Sequence, residues 1–442
     1  MKCCHRAVII LALIPAVAAA TTHTVDDSGT QTYVTIGEAF AAASSGDTIL
    51  VSPGTYTGPG NRRIDFVGRD LVLKSTSGAG VTVIDCEGQG PALVLERGES
   101  DHCAVEGFTF QNGSGYEFGD TGLGLEGGAI YLWGADPLII DCEFVSNEAD
   151  YGGAIFSGPY SSPKIYYCNF ADNHANDYGG AVYTYQASPE FRTCEFTDNT
   201  ANLNGGAISS KTESAIVVSS CDFTGNVASE GGAVFAGSTP PEEEIRFPTT
   251  ASIVKNSHFY ENEANLGGAL FISGFSATVV NFCTIAENTA DRGGGLYAVT
   301  KSERTPVIEN CTFALNSARY GAGIYSKADV TYEFMSVKNT LLAFNTGGGG
   351  AIHREDYSAL ETTRCVAYGN EGGDDLWGED VLVDDPLFCD MGSRNFRLCS
   401  NSVCIKSNNP WDFLIGSGYE GCDACTSPVQ DVSWGSIKAI YR

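Results

Sequence analysis

Between residues 127 and 352 the chain repeats one arrangement of apolar and polar positions. A glycine pair, a small residue and an aliphatic residue recur as GGAI at 152–155, GGAV at 179–182, GGAI at 205–208 and GGAV at 231–234. The glycine positions start at Gly127, Gly152, Gly179, Gly205, Gly231, Gly267, Gly293, Gly321 (as Gly-Ala-Gly) and Gly349, at intervals of 25, 27, 26, 26, 36, 26, 28 and 28 residues. Ahead of each pair after the first stands Cys-x-Phe-x-x-Asn. It reads CEFVSN at 142, CNFADN at 168, CEFTDN at 194, CDFTGN at 221 and CTFALN at 311, with weaker copies at 257, 283, 340 and 365.

Self-similarity at such a period predicts a solenoid, in which each repeat buries its apolar side against its neighbours. Leucine-rich repeats have the period but need several leucines per copy, which these copies lack. Helical repeats need helix formers, whereas the segments here are β-branched and aromatic, as in AIYLWG and PLIIDCEF. About 26 residues fit three short strands and three turns. The predicted fold is therefore all-β: a single right-handed parallel β-helix.

Each repeated residue then has a predicted place. The glycines allow positive φ and close backbone approach at a sharp corner. The aliphatic residue after the corner (Ile130, Ile155, Val182, Ile208, Val234, Leu270, Leu296, Ile324, Ile352) points inward. Cys and Phe lie two apart, on one strand face, and also point inward. The Asn is expected to bond its equivalents on adjacent rungs in a buried amide ladder. Residues following the aliphatic column alternate outward: Tyr131, Phe156, Tyr183, Ser209, Phe235, Phe271, Tyr297, Tyr325 and His353. Seven of these nine are Phe or Tyr, which predicts a ladder of stacked rings and, with it, a strip for sugar rings. The insertion at 237–250 is expected to leave the cylinder as a loop.

The ends differ from the repeats. Thr35 and Glu38 match a capping box ahead of a short helix with Ile36, Ala39, Phe40 and Ala43 on one face. It is followed by GDTILV and PGTY. Past Asn370 the repeats stop, and Cys389, Cys399, Cys404, Cys422 and Cys425 predict a disulfide-stapled cap. The boundaries are a leader at 1–20, the β-helix at 21–386, the Cys-rich cap at 387–425 and a tail at 426–442. That tail, SPVQDVSWGSIKAIYR, is either a sorting signal or a frayed end.

The short helix, GDTILV and PGTY resemble the opening of pectin-lyase-like β-helix proteins. The GGAI and Phe-x-x-Asn coils resemble the repeats of chlamydial polymorphic outer-membrane proteins. Together the resemblances cover about residues 30 to 375. The second family implies a C-terminal membrane barrel, but only 56 residues follow Pro386, too few for eight strands of ~10 residues. The enzymes among pectin-lyase-like proteins set acids and a Lys or Arg base on the outside of adjacent rungs. Of the pectin hydrolase motifs, only Asp-Asp occurs here.

Residues 1–20 combine Lys2, Arg6, an apolar run to Val17 and a small-residue cleavage site, the pattern of a secretory signal peptide. Without them 23 basic residues face 54 acidic ones, a net charge near −31, which disfavours nucleic acid and anionic lipid. The stacked cysteines are close enough along the axis for disulfides, yet parallel strands point them alike, which favours unpaired core residues. GLGLEG at 122–127 neither follows a βαβ strand nor opens a helix, so no dinucleotide site is predicted. Cys422 and Cys425 lack the second pair a zinc site needs. Asp374, Asp375, Glu379, Asp380, Asp384 and Asp385 could hold calcium or simply form a solvated loop. NGS at 112 and NCT at 310 are glycosylation sequons by pattern only. His23, His102, His174, His258 and His353 are never close in sequence. Turn charges Asp150, Asp177, Glu230, Asp291, Arg292 and Arg319 form no evident acid/base pair.

The sequence thus points to a secreted or bacterial surface-associated scaffold, adhesin-like or carbohydrate-contacting, with no assigned catalytic, cofactor or metal residues. The alternative is a polysaccharide lyase or glycoside hydrolase, which requires acids and a base clustered on one face of neighbouring rungs.

Overall fold

The computed structural model describes residues 20–117, 124–238, 251–274, 277–300, 305–328, 334–356, 359–373, 376 and 378–425. Residues 1–19 of the leader, the tail, Asp374, Asp375 and residues 239–250 of the insertion lie outside them.

The chain winds through about 13 turns of a parallel β-solenoid. Each rung of the repeat contributes a strand to a first wall (Leu138–Ile140, Lys164–Tyr166, Glu190–Arg192), then to a second wall (Glu143–Val145, Asn169–Ala171, Glu195–Thr197). It then turns through the Asn and glycine positions into a third, eleven-stranded sheet that includes Ile155–Ser157, Val182–Tyr185 and Ile208–Lys211. Neighbouring strands pair in parallel and in register, Phe144 opposite Phe170 and Ile155 opposite Val182. The longer interval changes nothing in the register, since Val234 pairs Leu270 and Val218 pairs Val254. Gly237 and Ser238, placed in the expected loop, instead belong to the strand Val234–Ser238 and pair Ser273 and Gly274.

Three columns of left-handed backbone bend each rung. The residue before Cys (Asp141 φ 52°, Tyr167 φ 55°, Thr193 φ 53°) separates the first two walls, and the residue before Asn (Ser146, Asp172, Asp198) ends the second. The third column is the first glycine of each pair, Gly152 and Gly179 at φ 69°. Both glycines also serve close approach: a Cβ on Gly179 would meet the Val182 carbonyl oxygen of its own corner at 2.2 Å, and one on Gly180 the Gly206 carbonyl oxygen of the next rung at 2.0 Å. One doublet thus answers two different steric demands.

The interior follows the repeat. The aliphatic column is at most 3% exposed. Phe144, Phe170, Phe196, Phe223 and Phe259 stack with ring centroids 4.7 Å apart, the rise from one rung to the next. Cys142, Cys168, Cys194, Cys221, Cys283, Cys311 and Cys365 are buried and unbridged, small core side chains as the parallel register requires. Nine asparagines from Asn147 to Asn370 form the amide ladder. In each described step the side-chain oxygen accepts from both the backbone N–H and the side-chain amide of the Asn one rung back.

Helix α1 (Ile36–Ala42) begins with the predicted capping box between Thr35 and Glu38 and buries Ile36, Ala39 and Phe40 against the first rungs. Arg69 donates to the Phe40 and Ala43 carbonyls at its far end. At the other end Cys389–Cys422 and Cys399–Cys425 staple the cap, with Cys404 buried and free. This cap lies along the flank of the second wall. Phe388, Met391, Phe396, Leu398 and Ile415 pack on Ala286, Ala314, Leu341 and Val366. The outward column explains the choice of flank: Glu143, Asn169, Glu195 and Asp222 in earlier rungs give way to Thr284 and Thr312, which hydrogen-bond Ser417 of the cap, and then to the apolar Leu341 and Val366, which water would not favour.

Candidate functional site

The ring ladder beside the glycine corner is present. Tyr131–Phe156, Phe156–Tyr183, Phe235–Phe271, Phe271–Tyr297, Tyr297–Tyr325 and Tyr325–His353 have centroids 4.9–5.9 Å apart. Its exposure is the correction. Phe235, Phe271 and Tyr297 are only 7%, 5% and 4% exposed. Their faces stack on one another, and Leu266, Val299 and Tyr320 pack against the group. An outward-pointing residue next to a concave corner is covered by the column that precedes the glycines, which strand alternation alone does not reveal. No sugar ring can reach those faces, so the strip in these rungs is architecture.

The column before the glycines reads Glu126, Tyr151, Tyr178, Asn204, Glu230, Leu266, Arg292 and Tyr320, each residue opposite the next. In its first rungs it leaves a hollow of about 230 Å³ lined by Glu126, Trp133, Tyr151, Phe156, Tyr178, Tyr183 and Tyr185. Tyr151, Tyr178 and Tyr183 lie 5.5–5.7 Å from one another. Trp133, Tyr151 and Tyr178 are half-buried and Tyr185 is exposed, so these rings border on water. Glu126 is 5% exposed, and burial pushes its carboxyl up to about 7. Among the described residues no group hydrogen-bonds that carboxyl. Lys211 sits 3.2 Å from the centre of the Tyr178 ring, and burial pulls its amine down to about 8 against the opposing charges of Glu230 and Asp177. Tyr151 is pushed up to about 12, by burial first and then by Asp177.

A second recess, of about 540 Å³, lies between the second wall and the cap. Here the sequence-scattered His258 meets Asp222 at 2.7 Å on adjacent rungs. Arg394 of the cap reaches Glu261 and Glu287 at 2.7 and 2.8 Å and lies over the Tyr260 ring. Tyr419 and Arg397 complete its edge. These are acids and bases on one face of neighbouring rungs, though each acid is already held by a histidine or an arginine.

The other sequence candidates go elsewhere. His23 bonds Asp47, and His174 bonds Thr200. His102 is next to Asp101. Asp384 and Asp385 accept backbone N–H groups of their own turn. Asp150 accepts from the Leu125 N–H and the Asn176 amide, while Arg292 faces Asp291 and Glu355. Cys422 and Cys425 pair with other cysteines, not with each other. Sequence reasoning did not single out Glu126 or Arg394. For Glu126 the available signal was an acid standing where the next two copies carry Tyr.

Residues 71–244 match the family model of the right handed beta helix region. No curated protein sequence matches the chain. Among solved structures it is similar to pectate lyase Pel9A, at 12% identity over 92% of this chain and 98% of that one, with a TM-score of 0.38. It is also similar to the catalytic unit of a GH87 α-1,3-glucanase from Streptomyces thermodiastaticus, at 11% identity over 78% and 67% with a TM-score of 0.41. A third is the receptor binding domain of the Siphovirus 9NA tailspike, at 11% identity over 82% and 76% with a TM-score of 0.40. These likenesses concern the fold.

Proposed function

We propose that the protein is a non-catalytic β-helix scaffold, secreted or held at a cell surface, that contacts carbohydrate through the hollow beside Glu126. The observation that carries this reading is the set of water-bordering rings Trp133, Tyr151, Tyr178 and Tyr185 around one recess. Sugar rings present apolar C–H faces that pack on aromatic faces, while a polar group at the rim fixes orientation. Retention on a polysaccharide and glycan array is the test. Wild-type protein is expected to bind, and a Trp133→Ala/Tyr185→Ala variant with an unchanged circular dichroism spectrum is expected not to. Equal retention of the two proteins would sink the reading.

The recess at Arg394 supports a second reading, a polysaccharide lyase or glycosidase. Its Asp222–His258 and Glu261–Arg394–Glu287 contacts gather acids and bases on adjacent rungs. New reducing ends or unsaturated sugar products from a polysaccharide panel, lost in Glu287→Gln, would favour it over the scaffold.

A further inference from the structure

Glu126 poses a physical problem. Its carboxyl is buried to 5% exposure, lines the aromatic hollow, and has no hydrogen-bonding partner among the described residues. A buried polar group normally carries a partner, so a carboxyl that lines a hollow without one is open to a group held in that hollow. Its surroundings narrow what the missing partner is. Trp133, Tyr151, Phe156, Tyr178, Tyr183 and Tyr185 offer ring faces and edges, which are poor ligands for a metal ion but attract an organic cation. The same wall already accepts an ammonium from within the protein, Lys211 on the ring of Tyr178. Around it the acids Asp177 and Glu230 act on Lys211 and keep the local balance negative. The whole chain, at −29 by formal charge, draws cations and repels anions.

We propose that the hollow is a recognition site for an organic ammonium group, with Glu126 as its counter-ion and the surrounding rings as its cage. The hollow, about 230 Å³, is smaller than the ~300–1,000 Å³ of sites for drug-sized ligands, so it admits one ring or one small head group. Two sources share this chemistry: the amine of an amino sugar and a quaternary ammonium head such as choline. The amino-sugar form rests on the carbohydrate reading above, and the choline form does not.

The test measures binding by calorimetry at physiological salt, using a glucosamine trimer, its N-acetylated counterpart, and choline. The expected result is roughly tenfold tighter binding of the free-amine trimer than of the acetylated one. That preference should vanish in Glu126→Gln and persist in Asp172→Asn, which removes an exposed acid on another wall. Choline binding that Glu126→Gln abolishes, with neither trimer bound, supports the ammonium site and sinks the carbohydrate reading. Equal binding of the two trimers overturns the ammonium site and leaves the carbohydrate reading standing. Absence of all three ligands overturns both. A Trp133→Leu variant gives a second check on the cage, and an unaltered affinity for the free-amine trimer in it, or in Glu126→Gln, overturns the proposal.

Discussion

The side-chain amide of Asn199 donates to the side-chain oxygen of Asn226 at 3.0 Å, and the backbone N–H of Asn199 donates to that same oxygen at 3.1 Å. Its other side-chain hydrogen goes to the Phe170 carbonyl one rung back. A single Asn per rung therefore satisfies both the turn and the next rung.

Asn199→Leu should strand the N–H groups of Asn173 that now reach the Asn199 oxygen. At about 1–3 kcal/mol for each stranded group, the variant should melt several degrees lower while keeping its β signature at low temperature. A melting point equal to wild type would mean that the ladder contributes nothing.

The Glu126 carboxyl, raised by burial from 4.5 to about 7, makes folding sensitive to pH. The folded protein binds more protons there than the unfolded chain between those values. This contribution therefore falls as pH rises from about 4.5 to 7, and stays lost above. The total is on the order of 3 kcal/mol at 1.36 kcal/mol per unit. Denaturation in urea at pH 5 and pH 8 should show Glu126→Gln relatively more stable at the higher pH. Parallel pH profiles for the two proteins would argue that the carboxyl is solvated or paired.

The two glycines of a corner should both resist a side chain, against different neighbours. Gly179→Ala meets a left-handed backbone and the Val182 carbonyl of its own corner, and Gly180→Ala meets the Gly206 carbonyl of the next rung. Each should cost at least ~2 kcal/mol. Gly80→Ala, where a Cβ meets nothing within 4 Å, serves as the control and should be close to neutral in thermal melts. A Gly180→Ala protein as stable as that control would show that the rungs are spaced more loosely.

Phe235, Phe271 and Tyr297 changed together to Ser should unfold or severely destabilise the middle rungs, because large-to-small changes at packed rings cost about 3–5 kcal/mol each. Differential scanning calorimetry would read this directly. An intact, equally stable triple variant would return these rings to the list of exposed contact residues.

Legibility in the sequence followed repetition. Phe170, Asn173, Gly179 and Val182 each recur once per rung, so period and strand alternation were enough to place them inside. The hollow escaped because Glu126 breaks its own column, and because the cover over an outward ring comes from the turn before the glycines. The cap recess escaped for a different reason: Arg394 meets Glu287 across 107 residues, and no period links them. The flank it covers did leave a trace, the change from Glu195 and Asp222 to Thr312 and Leu341 along one outward column.

In-register rungs that each pair only with the next also dictate how the molecule yields to force. Pulled from its two ends, the solenoid shares no strand between distant rungs among the described residues, so it should peel one coil at a time from the weaker terminus. Each coil of 25–28 residues, the 36-residue one after Gly231 apart, would release roughly 90 Å of chain at ~3.3–3.6 Å per residue. Optical-tweezer traces should then show a regular staircase rather than a single rupture, with the disulfide-stapled flank holding the last coils longest.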